Sequence, residues 1–101
     1  MIKKYLTGST IVAQEGQNIK LEYYLLEEMR DAGGHFLYGM MIRKEERRAG
    51  KLERTQTVAK AISYSREYVE RMIGLFMKNT VTPLTMMELI DEYVSREGLS
   101  A

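Results

Sequence analysis

The residues best suited to chemistry in this chain are one histidine, His35, and a group of carboxylates near the C-terminus. As a general base, His35 would need an orienting carboxylate and a nearby nucleophile, and the sequence offers no recognisable pair. A zinc site usually needs several His or Cys ligands, and the chain has one His and no Cys. We therefore expect His35 to be an exposed residue at the start of a strand, and we expect no enzymatic activity.

The carboxylates Glu88, Asp91 and Glu92 are spaced so that they share one face of a helix, and Glu97 extends this acidic surface. The spacing is compatible with a solvated helix face or with a site for a hard metal ion, and we favour the solvated face. The sequence contains no glycine-rich phosphate loop and no nucleophile elbow. The residues therefore indicate neither a bound metal nor an organic cofactor.

The most informative polar stretch is 43–54, with six basic and three acidic residues and a local charge of +3. It is either a solvated hairpin arm with weak ion pairs, or a contact arm for phosphates or an acidic protein groove. The interleaved glutamates and the lack of interleaved aromatic residues argue against a dedicated nucleic-acid surface. Gly50 would form the tip of a ribbon or of a flexible loop. The candidate partner-binding residues are Arg43, Lys44, Arg47, Arg48, Lys51 and Arg54.

Alternating apolar residues predict the strands that would carry this stretch. Asn18–Glu28 and His35–Arg43 alternate clearly and are joined by a glycine turn, which predicts a central hairpin. Ile2–Gln14 is predicted as a first strand, interrupted or not at Gly8. Thr55–Ile62 alternates weakly and is a fourth candidate strand.

After the strands, the apolar period changes to that of a helix. Ser65 is a good N-cap and Asn79 a candidate left-handed stop, which delimits a first helix. Thr85 and Glu88 form a capping box for a second helix that would end at Gly98. Strands followed by helices predict a single α+β domain over residues 1–101. We expect an antiparallel meander sheet of three to four strands, with two helices packed on one face.

The predicted sheet is apolar on both faces, although two helices can cover one face of a small sheet. Residues left outward by the alternation could form an exposed patch of the kind found at protein interfaces. A homodimer, docking on another protein, or the loop of the first strand would then cover it. The residues assigned to this interface are Tyr24, Leu26, Leu37 and Met41.

Composition limits the remaining function classes. The net charge is +1, which gives no global electrostatic reason to bind nucleic acid or membranes. The chain has no cysteine, so a disulfide scaffold and a thiolate site are excluded. Because no opening segment combines a basic start with a long apolar run, we expect a cytoplasmic protein that does not span a membrane.

Five segments resemble a family of small clostridial-type proteins of unknown function. They are Leu21–Leu25, Tyr38–Lys44, Ile62–Glu70, Val81–Leu84 and Asp91–Val94. The resemblance implies a strand pair, a capped helix, a proline turn and a final helix, and it transfers no active site. It does not extend to 45–55, where function specific to this chain is expected.

In size and in its lack of catalytic residues, the chain is also similar to small anti-CRISPR inhibitors carried by phages and mobile elements. The leading hypothesis is therefore a non-enzymatic protein-binding module. It would occupy a surface on a larger protein or nucleoprotein complex, such as a CRISPR-Cas effector. Alternatives are a small nucleic-acid-binding protein and a homodimeric structural protein; an enzyme ranks last.

Overall fold

The computed structural model describes residues 2–14, 17–30 and 33–100, without the side chains of residues 14 and 97–100. Within this part, the chain forms four strands that pair antiparallel in chain order, followed by two helices. This meander confirms the predicted α+β fold. The elements are β1 (Ile2–Gln14), β2 (Gln17–Met29), β3 (Phe36–Arg48), β4 (Lys51–Ser63), α1 (Arg66–Lys78) and α2 (Pro83–Ser100).

The β3–β4 hairpin resolves the choice between a ribbon and a flexible loop. β3 continues to Arg48 and β4 begins at Lys51, and these two residues face each other across the hairpin. Ala49 and Gly50 between them have φ angles of 50° and 78°. Positive φ at both central residues is the signature of a type I′ turn, whose twist matches that of the strands. The basic stretch is therefore an ordered ribbon.

One face of the sheet carries the hydrophobic core. Alternate residues of β2 and β3 point to the same side and meet the apolar stripes of both helices. Tyr23 at the centre is fully buried, and its hydroxyl donates a 2.8 Å hydrogen bond to the carbonyl oxygen of Val81 between the helices. Core residues include Leu21, Leu25, Met40, Ile42, Ala59, Val69, Met72, Ile73, Phe76, Met86 and Ile90.

α1 begins as predicted, because the Ser65 side chain accepts a hydrogen bond of 3.2 Å from the backbone N–H of Tyr68. The end of α1 differs from the prediction that Asn79 is a left-handed residue. Asn79 has φ −98° and caps the helix through its side chain, which donates to the carbonyl oxygen of Leu75. The left-handed residue is Thr80, with φ 49°.

α2 begins at Pro83, two residues before the predicted cap at Thr85, and continues through Gly98 to Ser100. The capping-box prediction was therefore wrong. Proline has no N–H to leave unpaired and has a φ fixed near the helical value, so it fits the first position of a helix. Glu88 thus lies inside α2 rather than in a cap.

Irregular pairing between β3 and β4 shapes the outer edge of the sheet. Tyr38 pairs with Ser63 and Met40 with Ala59, so residues 60–62 of β4 face Gly39 alone. A Cβ atom at Gly39 would lie 2.1 Å from the carbonyl oxygen of Ala59. Gly39 therefore allows the bulged backbone of β4 to pass directly over β3.

Candidate partner-binding surface

Residues 43–54, called the distal ribbon below, form the outer half of the β3–β4 hairpin. The core residues of β3 end at Ile42, and in the described chain no residue of the distal ribbon belongs to the core cluster. Strands of 13 residues extend for about 43 Å, which approaches the 49 Å length of the molecule. The ribbon is therefore held by strand pairing and lies beyond the helix-covered core residues.

Strand alternation divides the six predicted basic residues between the two sides of the ribbon. The face that bears the helices is called the front and the opposite one the back. Arg43, Arg47 and Arg54 lie on the back, and Lys44, Arg48 and Lys51 lie on the front. The structure thus places all six in one hairpin but not on one surface.

Arg43 is held in place on the back by residues of β2. It faces Glu22 directly across the strands, and its Nη2 lies 3.0 Å from Glu22 Oε1. The same Nη2 donates to the Tyr24 hydroxyl at 2.6 Å, and this hydroxyl donates to Glu22 Oε2 at 3.2 Å. The guanidinium carbon also lies 5.4 Å from the centre of the Tyr24 ring. Arg43 is therefore already engaged within the chain.

The pKa values of this cluster follow from its geometry. Burial alone would raise the pKa of Glu22, but hydrogen bonds from Arg43 and Tyr24 and nearby positive charge outweigh it, so the pKa is lowered. The hydrogen bond to Glu22 raises the pKa of Arg43. Burial, followed by the hydrogen bond to Glu22, raises the pKa of Tyr24. Glu22 and Arg43 are thus a stable charged pair.

The interleaved glutamates neutralise two further arginines. Arg54 Nε lies 3.1 Å from Glu45 Oε1, and Arg48 Nε lies 3.6 Å from Glu46 Oε1. In the described residues, the remaining basic side chains of the ribbon have no ion-pair partner within 4.0 Å. These are Lys44, which is half-buried, and Arg47 and Lys51, which are exposed.

A concave surface adjoins Arg47 on the back of the sheet. It encloses a volume of about 450 Å³, and its lining includes Asn18, Lys20, Glu45, Arg47 and Leu52. Two cations and an exposed apolar side chain thus surround one recess, although Glu45 lies there with Arg54 bound to it. This arrangement suits a carboxylate next to an apolar group.

Sequence reasoning missed Lys20, Asn18 and Leu52 because it treated the ribbon as a separate segment. The strand register contains the missing signal. Lys20 pairs with Glu45, and Arg47 pairs with Leu52, so the three strands bring these side chains to one end of the back face. Extending the predicted β2–β3 pairing past Arg43 would have identified Lys20.

The four residues assigned to a sheet interface do lie on the back, but they offer little surface. Leu26, Leu37 and Met41 are buried within the single chain, and Tyr24 is half-buried under Arg43. They are therefore not an exposed apolar patch. The exposed apolar residues flank them, since Leu6 pairs with Tyr24 and Val58 pairs with Met41. That these four residues form an interface, with a second copy or with another protein, stays a prediction.

The other sequence candidates are dispersed. His35 is exposed, and Glu92 forms an ion pair with Arg96 one helical turn away. Across the described residues, no three His, Cys, Asp or Glu side chains are arranged to hold a metal ion. The side chain of Glu97 lies outside the described part. The absence of enzymatic activity and of cofactors remains a prediction.

The molecule defined by these observations is an α+β protein: a meander sheet with its helices on the front and a charged hairpin end beyond them. The chain belongs to a family of unknown function, DUF6514, whose model matches residues 2–96. No curated protein and no solved structure matches the chain. Neither helix, as far as the structure describes it, is long and apolar enough to cross a membrane.

Proposed function

We propose that this chain is a non-enzymatic protein-binding module that acts in the cytoplasm and uses the tip of the distal ribbon. One observation carries the proposal. Arg47 and Lys51 lie within two residues of the ordered turn, on opposite faces of the ribbon, are exposed, and have no ion-pair partner in the described part of the chain. Charges that contribute nothing to the core and form no ion pair are free to bind a partner.

The order of the ribbon supports this role. The pairing from Met40 with Ala59 to Arg48 with Lys51 is regular, and the type I′ turn closes the hairpin. Because the backbone is already fixed, binding costs less conformational entropy than it would for a flexible loop. The ribbon therefore presents its cations in one arrangement.

The recess beside Arg47 supports a partner that presents acidic groups next to an apolar one. Lys20 and Arg47 would pair with acidic side chains, and Leu52 would contact an apolar group beside them. We propose an acidic groove on a larger protein, as in a nucleoprotein assembly of the CRISPR-effector kind. The similarity in size to small anti-CRISPR inhibitors motivates this choice of partner.

Direct binding to DNA or RNA has less support. Three of the six ribbon cations, Arg43, Arg48 and Arg54, already pair with carboxylates of the chain. A phosphate backbone would have to compete with these internal partners. The net charge of +1 adds no long-range attraction.

The proposal is tested with the double variant Arg47→Glu/Lys51→Glu. Lys51→Glu places an acid opposite Arg48, and Arg47 is exposed, so the melting temperature should hardly change. The control is Lys4→Glu/Arg71→Glu, which makes the same change in charge at exposed positions away from the ribbon.

Immobilised wild-type protein and both variants are incubated with lysate of the native host, and the retained proteins are compared by mass spectrometry. The proposal expects a protein that wild type and control retain and the ribbon variant loses. Retention by all three would contradict it. Retention of bare DNA or RNA with a steep salt dependence would favour the nucleic-acid alternative.

A further inference from the structure

We propose that two copies of this chain join through the outer edges of their β4 strands, antiparallel and centred on Thr55, to form one continuous sheet. This inference is argued from the edge of the sheet and not from the proposed function. Lys51 and Leu52 lie on β4 and belong to both surfaces, so the tests below use other positions.

β4 offers an edge suited to pairing. It is the last strand of the sheet, so in the described chain only β3 pairs with it. From Lys51 to Ala59 its pairing with β3 is regular over nine residues. Unpaired backbone N–H and C=O groups along such an edge are a template for another strand. The bulge at residues 60–62 then ends the regular edge, which limits further pairing.

Symmetry restricts how β4 can meet a second β4. Side chains that face each other across antiparallel strands point to the same side of the sheet. In a symmetric pair, one residue must therefore face its own copy across the twofold axis, and we name each register by that residue.

An axis at Thr55 matches the side chains of the two edges. Leu52 of one copy then lies opposite Val58 of the other on the back, and both are exposed in the single chain, by 48% and 40%. The pair occurs twice because of the symmetry. The remaining facing pairs are Lys51 with Ala59, Glu53 with Thr57, and Arg54 with Gln56, so no like charges meet.

The neighbouring registers match less well. An axis at Gln56 would place Leu52 opposite Lys60 and Val58 opposite Arg54. An axis one residue further would place Arg54 opposite Lys60, and like charges directly opposite each other destabilise a pair of strands. The side chains of β4 thus favour Thr55.

The opposite edge of the sheet is a poorer surface for a second copy. The register of β1 shifts between Leu6 and Gly8, so its regular pairing from Gly8 to Gln14 is two residues shorter than that of β4. Pairing of β1 with β1 would centre on Ile11. This competing arrangement is included in the test.

Because the chain has no cysteine, a variant with one introduced cysteine can form a disulfide only between the same position of two copies. In Thr55→Cys the two thiols face each other at the twofold axis, within reach of a disulfide. In the control Glu53→Cys, on the same face, the two thiols are separated by four residues, or about 13 Å. Ile11→Cys reports pairing through β1.

Under mild oxidation, Thr55→Cys should form the covalent dimer at least about tenfold faster than either of the other variants, because a disulfide forms only at short Cβ separations. If Glu53→Cys cross-links as fast as Thr55→Cys or faster, the register is wrong. If Ile11→Cys does so, the copies pair through β1 and the choice of edge is wrong. Wild-type protein should sediment as a dimer at high micromolar concentration. A monomer there would overturn the inference.

A charge at the axis gives a second, cysteine-free test. Thr55→Glu places two glutamates directly opposite each other in the dimer, whereas within the chain the new glutamate faces Lys44. The dimer should therefore dissociate while the folded chain is retained in circular dichroism spectra. The matched control is Thr7→Glu, an exposed position on the opposite edge strand, which should leave the dimer intact. A stable Thr55→Glu dimer, or equal dissociation of both variants, would overturn the inference.

Discussion

Glu22 and Arg43 face each other across the two central strands, 3.0 Å apart, on the side of the sheet away from the helices. Glu22 is 7% exposed, so its charge depends on Arg43 and on the hydroxyl of Tyr24 for compensation. A buried charge without its partner is costly. Arg43, which the sequence assigned to partner binding, therefore has a structural role inside the sheet.

The first prediction concerns stability in acid. Because the pKa of Glu22 is lowered in the folded state, its pairing contributes fully above the unfolded pKa of about 4.3 and is lost as the pH falls through the folded pKa. Glu22→Gln should cost about 1–3 kcal/mol at neutral pH and less in acid. Urea unfolding at pH 7 and at about pH 3 measures this difference. The exposed control Glu88→Gln should change little, and an equal loss in Glu22→Gln at both pH values would contradict the account.

The second prediction concerns stability in alkali. Burial raises the pKa of Tyr23 to about 12 in the folded chain, above the value of about 10 in the unfolded chain. The folded state therefore binds the proton more tightly, and stability should fall as the pH rises from about 10 to about 12.

In Tyr23→Phe this alkaline loss should be reduced, at the cost of about 1 kcal/mol at pH 7, because the hydrogen bond to Val81 is gone. Urea unfolding between pH 7 and about pH 11 gives both effects, with the exposed Tyr64→Phe as the control. A Tyr23→Phe protein with the same alkaline dependence as wild type would refute the assignment.

The third prediction tests the crossing of β4 over β3. In Gly39→Ala the new methyl group would meet the Ala59 carbonyl at 2.1 Å, and backbone cannot yield as a side chain can, so we expect a loss of roughly 2–3 kcal/mol. In the control Gly74→Ala in α1, the added carbon meets nothing within 4 Å apart from its chain neighbours and the backbone of its own helix, so it should stabilise the protein by about 0.5–1 kcal/mol. Thermal unfolding of both variants should show opposite shifts, and a neutral Gly39→Ala would disprove the close approach.

The fourth prediction tests the turn of the distal ribbon. Ala49 has φ 50°, a region that costs an alanine roughly 1–2 kcal/mol and that asparagine enters more readily. Ala49→Asn creates the Asn-Gly pair that type I′ turns prefer, and it should raise the melting temperature by a few degrees, about 4 °C. A lower melting temperature would mean that the hairpin does not form this turn in solution.

Much of the fold could be predicted from the sequence, because the central strands and α1 carry clear apolar periods. The outer part of β3 carries none: Lys44–Arg48 has no large apolar residue, and its order comes from pairing with β2 and β4. The apolar pattern within one segment does not reveal pairing with strands elsewhere in the chain. For the same reason the sequence did not show that Arg43 is bound within the chain, or that Lys20 lies beside Arg47.

The central claim, that the tip of the distal ribbon contacts an acidic partner, is tested most directly by site-specific photo-cross-linking. A photoreactive amino acid replaces Arg48, which is exposed next to the turn and pairs with Glu46, so that Arg47 and Lys51 are kept. In a second protein it replaces the exposed Arg71 of α1, and both are irradiated in lysate of the native host. The account predicts a cross-linked protein at position 48 that is absent at position 71 and is lost when Arg47→Glu/Lys51→Glu is added. The same product from both positions, or one at position 71 alone, would contradict it.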